Sequence, residues 1–205
     1  MYIPGHFKQH NIEEVKSFLK QNSFGILVSQ VNGKPWATHI PLELEVNGEG
    51  KEVLVGHTSR GNKQWKDLEQ NEEVLAIFNG PHTYISSSWY DHENVPTWNY
   101  IAVHVCGKIR TIEGEELLAS LKRLIDKYEA RSQHPVTVEA MSERFLESEL
   151  RGIVGFELII TDIQAAYKLS QNRDLKNKTK IISELENRGD SDSLKIAEHM
   201  KSYNG

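Results

Sequence analysis

Two Asn-Gly pairs in the first quarter of the sequence constrain the fold more than any other feature of this chain. They are Asn32-Gly33 and Asn47-Gly48. Asn-Gly readily adopts the positive φ angles that both central residues of a tight hairpin turn require. The first pair lies between β-rich runs at residues 24–31 and 36–44, and the second precedes a run at residues 52–57. The sequence therefore predicts three consecutive antiparallel strands before residue 58.

The rest of the chain adds strands first and helices later. Strand patterns follow at residues 74–78, 101–112 and 153–160, so we expect about six strands in a small antiparallel barrel with peripheral helices. Two further helices are predicted near the carboxyl terminus, at residues 174–188 and 191–202. The expected fold class is α+β and mainly β. The predicted domains are a barrel at residues 1–170 and a helical extension at residues 171–205.

Charge and composition argue against several classes of protein. The formal net charge of -5 gives no overall field that would attract nucleic acid. No apolar run reaches the ~20 residues that span a bilayer, and the amino terminus lacks a signal pattern, so we expect a cytoplasmic protein without a membrane partner. The single cysteine, Cys106, lies in a strand pattern and is expected to be a small buried side chain and not a nucleophile.

An aromatic stretch at residues 80–90 and 95–100 alternates rings with hydrogen-bonding side chains. It contains two of the four tryptophans. Such side chains are found where apolar matter meets a polar ligand, so the stretch can be the wall of a binding site. It can equally be an aromatic hairpin in a core or a dimer interface. Within it, we expect Trp89 and Tyr90 to pack and not to contact a ligand.

A polar, glycine-containing turn at residues 58–63 precedes a predicted helix at residues 63–70. Backbone N–H groups at the start of a helix lack partners and carry partial positive charge. With Arg60 and Lys63 beside them, these groups suit a phosphate. The alternative is that Ser59 or Asn62 simply caps the helix.

Six segments of the chain, in order and along nearly its whole length, closely resemble the PaiB family. They are MYIP at residues 1–4, ATHIPL at 37–42, HTSRGN at 57–62, GPHTYIS at 80–86, VPTWNY at 95–100 and KLSQN at 168–172. The resemblance implies a split β-barrel of the FMN-binding type, a homodimer with flavin sites at the subunit interface, and a negative regulator of protease-synthesis and sporulation genes.

The same resemblance assigns residues to a flavin site. It places Thr38 and His39 beside the flavin ring and the turn at residues 58–63 on its phosphate, and it brings further residues to the site from the partner subunit and the polar rim. The predicted cofactor-binding residues are Thr38, His39, His57, Thr58, Arg60, Asn62, Lys63, Trp98, Asn99, Lys168 and Gln171.

Other chemistry finds less support in the sequence. The histidines do not show the spacing of a zinc motif, and no second cysteine could supply a thiolate, so no metal site is predicted. Haem held by a histidine is an alternative cofactor, because relatives of the fold bind it. No catalytic residue is assigned, because no nucleophile has an adjacent base.

Three functions therefore remain open. They are an FMN-binding regulator, an FMN-dependent flavin reductase or oxidase, and a dimeric regulator that acts through another protein. Contact with DNA can be direct or through a partner protein. A lysine-rich cluster at residues 173–180 is either a phosphate-contacting patch or a solvated helix face.

Overall fold

The computed structural model describes residues 1–71 and 73–203, in which the chain forms seven β-strands and five α-helices. The strands are β1 (Phe24–Val31), β2 (Lys34–Pro41), β3 (Glu43–Val46), β4 (Glu52–Ser59), β5 (Val74–Ile85), β6 (Thr97–Ile112) and β7 (Ile153–Lys168). The α-helices are α1 (Ile12–Gln21), α2 (Gly114–Glu129), α3 (Glu143–Arg151), α4 (Leu175–Arg188) and α5 (Ser191–Ser202).

The strands form one antiparallel sheet in the order β2-β1-β5-β6-β7-β4-β3. The mainly β, α+β class predicted from the sequence is confirmed. The seventh strand arises because the predicted return strand at residues 36–44 is divided at Leu42, directly after Pro41. Proline cannot donate to a strand ladder, so the chain leaves β1 there and begins β3 against β4.

The two Asn-Gly pairs form different hairpins. Asn32 and Gly33 have φ angles of 51° and 72°, and β1 pairs with β2 directly across them. The second pair begins a longer loop between β3 and β4, in which Asn47 Oδ1 accepts from the backbone N–H groups of Glu49 and Lys51 at 3.0 Å. Positive φ falls on Gly50 in this loop and not on Gly48.

The chain divides into two compact units that alternate along the sequence. The first unit holds residues 1–17, 78–104 and the chain from residue 164 onward, and the second holds residues 18–77 and 105–163. Strands β5, β6 and β7 each begin in one unit and end in the other.

A hydrophobic cluster lies within the second unit. Val53, Val55 and Ile112 of the sheet pack with Leu117 of α2. Gly107 of β6 lies so close to β7 that a Cβ atom there would overlap the Leu158 side chain and the Ile159 carbonyl. The close approach of the two strands therefore requires glycine at this position.

Helices α4 and α5 pack together in the first unit. Each begins at an aspartate whose carboxylate accepts from a backbone N–H at 2.9 Å: Asp174 from Asn177, and Asp190 from Ser193. Gly189, with φ of 74°, ends α4 in the left-handed conformation. Within residues 1–71 and 73–203, no helix is long and apolar enough to cross a bilayer.

One predicted helix is wrong. Residues 63–70 form two short 3-10 helices, Lys63–Lys66 and Leu68–Gln70, in place of one α-helix. Asn62 caps the first of them by accepting from the Gln64 N–H at 3.1 Å. A four-residue 3-10 helix has no appreciable macrodipole, so any binding of phosphate at this turn depends on side chains.

Candidate functional site

Gln64 lies at the centre of a polar network in the second unit. Its side chain is 1% exposed. Nε2 donates to the Leu27 carbonyl at 3.2 Å and to Ser29 Oγ at 3.0 Å, and Oε1 accepts from the Thr38 hydroxyl at 2.6 Å. Gln64 therefore fixes the position of the turn relative to β1 and β2.

Asn62 extends this network to two predicted site residues. Its Nδ2 donates to the hydroxyl oxygens of Thr38 at 2.9 Å and Thr58 at 3.1 Å. The structure thus brings together three of the residues predicted from the resemblance. We call Thr38, Thr58, Asn62 and Gln64 the Gln64 network. The sequence analysis did not identify Gln64 as a site residue. Its position directly before Trp65 was the only local indication, and a glutamine in a predicted helix is usually exposed.

Arg60 is held by backbone carbonyls of the same unit. Its Nε donates to the Arg151 carbonyl at 2.9 Å and its Nη2 to the Ile153 carbonyl at 3.0 Å. The guanidinium lies 5.6 Å from the centre of the Trp65 ring, and the Trp65 Nε1–H donates to the Arg60 carbonyl at 2.8 Å. Arg60 therefore presents its charge from a fixed position.

The turn fits a phosphate through side chains and not through its backbone. The N–H groups of Arg60 and Asn62 donate to the Gly152 and Ser59 carbonyls, and the Gly61 N–H donates to Ser59 Oγ. What the turn presents to solvent is the positive charge of Arg60 and Lys63, both exposed. This pair of cations would hold the phosphate of FMN, and the flavin ring supplies redox chemistry when it is bound.

The two histidines predicted for the site have different surroundings. His57 on β4 is half-buried, and burial lowers its pKa below the usual 6.5, so the neutral imidazole is favoured. His39 on β2 is exposed, with its ring 6.5 Å from that of Phe24.

The remaining predicted residues lie in the first unit, around Ser170. Asn99 is fully buried, and its side chain exchanges hydrogen bonds with Ser170 Oγ at 3.0 and 3.1 Å. Ser170 has a φ of 59°, a turn that Gln171 stabilises by accepting from the Leu169 N–H at 2.8 Å. In this chain Asn99 and Gln171 organise the turn, and their contact with a ligand stays a prediction.

Lys168 and Trp98 are more accessible. Lys168 is half-buried, donates to Thr97 Oγ1 at 2.5 Å and lies 5.6 Å from the centre of the Phe7 ring. Trp98 is 53% exposed, and its ring is near those of His82 and Tyr84, at 6.2 and 6.1 Å. A ligand or another protein could reach both side chains.

The described residues contain no group of three or more histidine, cysteine, aspartate or glutamate side chains arranged to hold a metal ion. Cys106 is half-buried, and burial together with the negative charges of Glu73 and Asp162 raises the pKa of its thiol. A raised pKa lowers the thiolate fraction, which agrees with a packing role.

The fold is the mainly β, split-barrel fold of flavin-binding and haem-binding proteins. The model of the family described as "Putative FMN-binding domain" matches residues 1–162, and the chain belongs to this family. Within it, the chain belongs to the PaiB family. It is 47% identical over 201 residues to the protease synthase and sporulation protein PAI 2 of Bacillus subtilis, covering 98% of this chain and 97% of that one.

One further protein is similar in sequence, and two solved structures are similar in fold. An uncharacterized protein of Saccharomyces cerevisiae is 31% identical over 169 residues, covering 71% of this chain and all of that one. The structure of the FAD and haem binding protein from Mycobacterium smegmatis is similar with a TM-score of 0.63 at 15% identity, covering 84% of this chain and 78% of that one. The flavocytochrome Anf3 from Azotobacter vinelandii gives a TM-score of 0.59 at 18% identity, covering 84% and 75%.

Proposed function

We propose that this chain is an FMN-binding negative regulator of the transcription of protease-synthesis and sporulation genes, acting in the cytoplasm. The observation that carries the proposal is the 47% identity, over nearly the whole chain, to the Bacillus subtilis protein named for protease synthesis and sporulation. The alignment covers 98% of this chain and 97% of that protein. The cofactor would report the redox or metabolic state of the cell.

Deletion of the gene, followed by measurement of extracellular-protease and sporulation transcripts, tests the regulatory role. We expect these transcripts to rise in the deletion strain and to return to the parental level when the wild-type gene is restored. Unchanged transcripts in the deletion strain would remove the regulatory part of the proposal.

The FMN part rests on the side-chain cations of the turn at residues 58–63. Lys63→Gln removes one of them, and Lys66→Gln removes an equal charge three residues further on. We expect Lys63→Gln to weaken FMN binding about tenfold, the effect of losing one charge-assisted hydrogen bond. Riboflavin, which lacks the phosphate, should bind the two variants equally.

Fluorescence titration with both flavins measures these affinities. Equal loss of FMN affinity in Lys63→Gln and Lys66→Gln would show that the phosphate lies elsewhere. Failure of the wild-type protein to bind FMN at all would remove the cofactor from the proposal.

Haem is a second candidate cofactor, favoured by His57. The lowered pKa keeps its imidazole neutral, which is the form that ligates iron. The Mycobacterium smegmatis protein of similar fold binds FAD and haem. An absorption spectrum of the purified protein separates the two cofactors, because haem gives an intense Soret band and oxidised flavin absorbs in the blue.

We also propose that the chain forms a homodimer through a surface that includes Trp98. This side chain is 53% exposed beside Tyr84, which is 40% exposed, and large exposed rings that lie together are typical of protein interfaces. Sedimentation equilibrium should show that Trp98→Ala weakens the dimer. Tyr2→Ala, which removes an isolated exposed ring, should not.

Contact with DNA is proposed to be indirect, through a partner protein. Lys176 of the basic cluster forms an ion pair with Asp91 at 2.7 Å, and Arg173 is half-buried over the Tyr90 ring, which limits the access of a nucleic acid backbone to both cations. Lys178→Glu combined with Lys180→Glu changes the other two. We expect the wild-type protein alone to show no specific, salt-sensitive retention of promoter DNA. Retention that this double variant abolishes would establish direct contact.

A further inference from the structure

Two buried donors in the first unit have no acceptor. Among the described residues, the buried side-chain atoms that lack a hydrogen-bond partner are the Tyr90 hydroxyl and Asn94 Nδ2. Tyr90 is 6% exposed. Buried polar atoms in native proteins are nearly always paired, so two unpaired atoms four residues apart indicate a missing partner.

The orientation of the Asn94 amide is fixed by its neighbours. Its Oδ1 accepts from the Val95 N–H at 2.9 Å and from Arg173 Nη2 at 3.5 Å. Both neighbours are donors, so exchanging the amide oxygen and nitrogen would place donor against donor. Nδ2 is therefore a true donor without an acceptor.

Arg173 contacts both of these side chains, although not their unpaired atoms. Its guanidinium lies 5.1 Å from the centre of the Tyr90 ring and also contacts the Asn94 side chain. Arg173 makes no ion pair with any side chain among residues 1–71 and 73–203. It is thus a half-buried cation without a counter-ion, beside two donors without acceptors.

Lys168 adds a second positive charge. It lies five residues before Arg173, and its ammonium group reaches Thr97, three residues after Asn94. Burial and the charge of Arg173 both lower its pKa. The contacts of its ammonium group are the Thr97 hydroxyl and the Phe7 ring, neither of which is an anion. We call Tyr90, Asn94, Lys168 and Arg173 the Arg173 site.

The nearby carboxylates are committed to other partners. Asp91 pairs with Lys176 at 2.7 Å and with His92 at 2.9 Å, and it accepts from Asn177 Nδ2 at 3.0 Å. Asp174 bonds the backbone and side-chain nitrogens of Asn177 at 2.9 and 2.7 Å. Among the described residues, neither carboxylate forms an ion pair with Arg173 or Lys168.

We propose that the Arg173 site binds the oxyanion, phosphate or carboxylate, of a small molecule. The unpaired Asn94 Nδ2 is a donor, the Tyr90 hydroxyl can donate, and the other two side chains are cations, so the complementary ligand is an acceptor with negative charge. Water is neutral and would leave both cations without an ion-pair partner. The burial of the Tyr90 hydroxyl favours a small anion over the backbone of a nucleic acid.

The Arg173 site shares no residue with the turn proposed to hold the FMN phosphate. None of residues 58–63 takes part in it, so it stands whether or not the chain binds FMN. It gives Lys168, which the resemblance assigned to the flavin rim, a different ligand. It also gives Tyr90 a ligand contact, where the sequence predicted packing alone.

Thermal unfolding of the full chain, titrated with inorganic phosphate and separately with acetate at constant ionic strength, tests the proposal. We expect one of these ions to raise the Tm of the wild-type protein, and the one that does identifies the source of the oxyanion. Arg173→Gln and Asn94→Asp should each lower the affinity for that ion about tenfold, the latter because it replaces a donor with a negative charge. Tyr90→Phe should lower it about fivefold.

Lys180→Gln is the matched control for Arg173→Gln, because it removes one exposed charge from the same part of the chain. It should leave the affinity unchanged. If chloride raises the Tm as much as phosphate and acetate do, or if the Lys180 and Arg173 variants behave alike, the proposal is wrong.

Saturation with FMN separates this site from the cofactor site. The shift in Tm caused by phosphate or acetate should persist when FMN is present. Loss of the shift on addition of FMN, with parallel loss of FMN affinity in Tyr90→Phe, would assign these residues to the cofactor and overturn the proposal of a second anion site.

Discussion

The Gln64 network and the Arg173 site are both rich in hydrogen-bond donors, but they differ in how many of those donors have an acceptor. In the network, the Gln64 amide, the Asn62 amide and the Thr38 hydroxyl all have partners within the second unit. In the Arg173 site, the Tyr90 hydroxyl and Asn94 Nδ2 have none.

A region whose donors are all paired stabilises the fold, whereas a region with unpaired donors can bind a ligand. A saturated network gives a turn a fixed shape, and the turn then presents only the side chains that point away from it, here Arg60 and Lys63. An unsaturated site is destabilising until something supplies the missing acceptors. Substitutions in the network should therefore lower stability without any ligand present, whereas substitutions in the Arg173 site should matter mainly when an anion is bound.

The largest effect is expected from Gln64→Leu. The change keeps most of the side-chain volume but leaves the Ser29 and Thr38 hydroxyls and the Leu27 carbonyl without their partner, so we expect the free energy of unfolding to fall by about 3 kcal/mol. Urea denaturation measures it. Gln70→Leu, at an exposed position, should change it by less than about 0.5 kcal/mol. Equal effects at the two positions would contradict the role of the network.

Asn62→Ala and Asn94→Ala compare one amide from each region. Asn62 donates to two hydroxyls and caps a 3-10 helix, so its loss should lower the free energy of unfolding by about 2 kcal/mol. Removing the Asn94 amide also removes an unpaired donor, so about 1 kcal/mol or less is expected without added anion. A larger loss for Asn94 would mean that its Nδ2 has a partner.

Thr38→Val and Tyr90→Phe each delete a single hydroxyl at nearly constant shape. The Thr38 hydroxyl donates to Gln64 and accepts from Asn62, so its removal should cost about 1 kcal/mol of stability. Removal of the unpaired Tyr90 hydroxyl should leave stability unchanged or raise it by a few tenths of a kcal/mol. Calorimetry in an anion-poor buffer gives both values. A similar loss of stability in the two variants would contradict the difference between a paired and an unpaired hydroxyl.

The smallest effect concerns Lys168 at alkaline pH. Its pKa is lowered from 10.5 by burial and by the charge of Arg173, so the unfolded chain binds more protons than the native chain between the lowered value and 10.5. Stability contributed by this group therefore rises as the pH increases through that window. In Lys168→Met the rise should be shallower, as measured by urea denaturation at a series of pH values. Identical slopes in the two proteins would show that the pKa of Lys168 is not lowered in the folded chain.

Local signals in the sequence predicted most of the fold. Asn32-Gly33 gave the correct hairpin because its two positive φ angles depend only on those two residues. The helix at residues 63–70 was predicted wrongly because a good cap at Asn62 and apolar residues at Trp65 and Leu68 do not distinguish an α-helix from two 3-10 turns. That choice depends on the contacts of Gln64 with β1 and β2, which are remote in sequence.

The candidate sites were predictable only in part for the same reason. Thr38, Thr58 and Asn62 were identified through the family resemblance, and the structure brings them together. Tyr90, Asn94 and Arg173 meet across about eighty residues of chain, and an unpaired donor leaves no trace in a sequence. Such a site is found only by checking in the structure whether each buried polar atom has a partner.

The passage of the chain between its two compact units has a consequence for how such a protein can evolve. The chain crosses from one unit to the other four times, after residues 17, 77, 104 and 163, and each crossing lies inside α1, β5, β6 or β7. Recombination that exchanged one unit for a homologous one would have to join gene fragments within a helix and three strands. The two units are therefore expected to be inherited together, and a gene fragment encoding either one alone should not yield a folded protein.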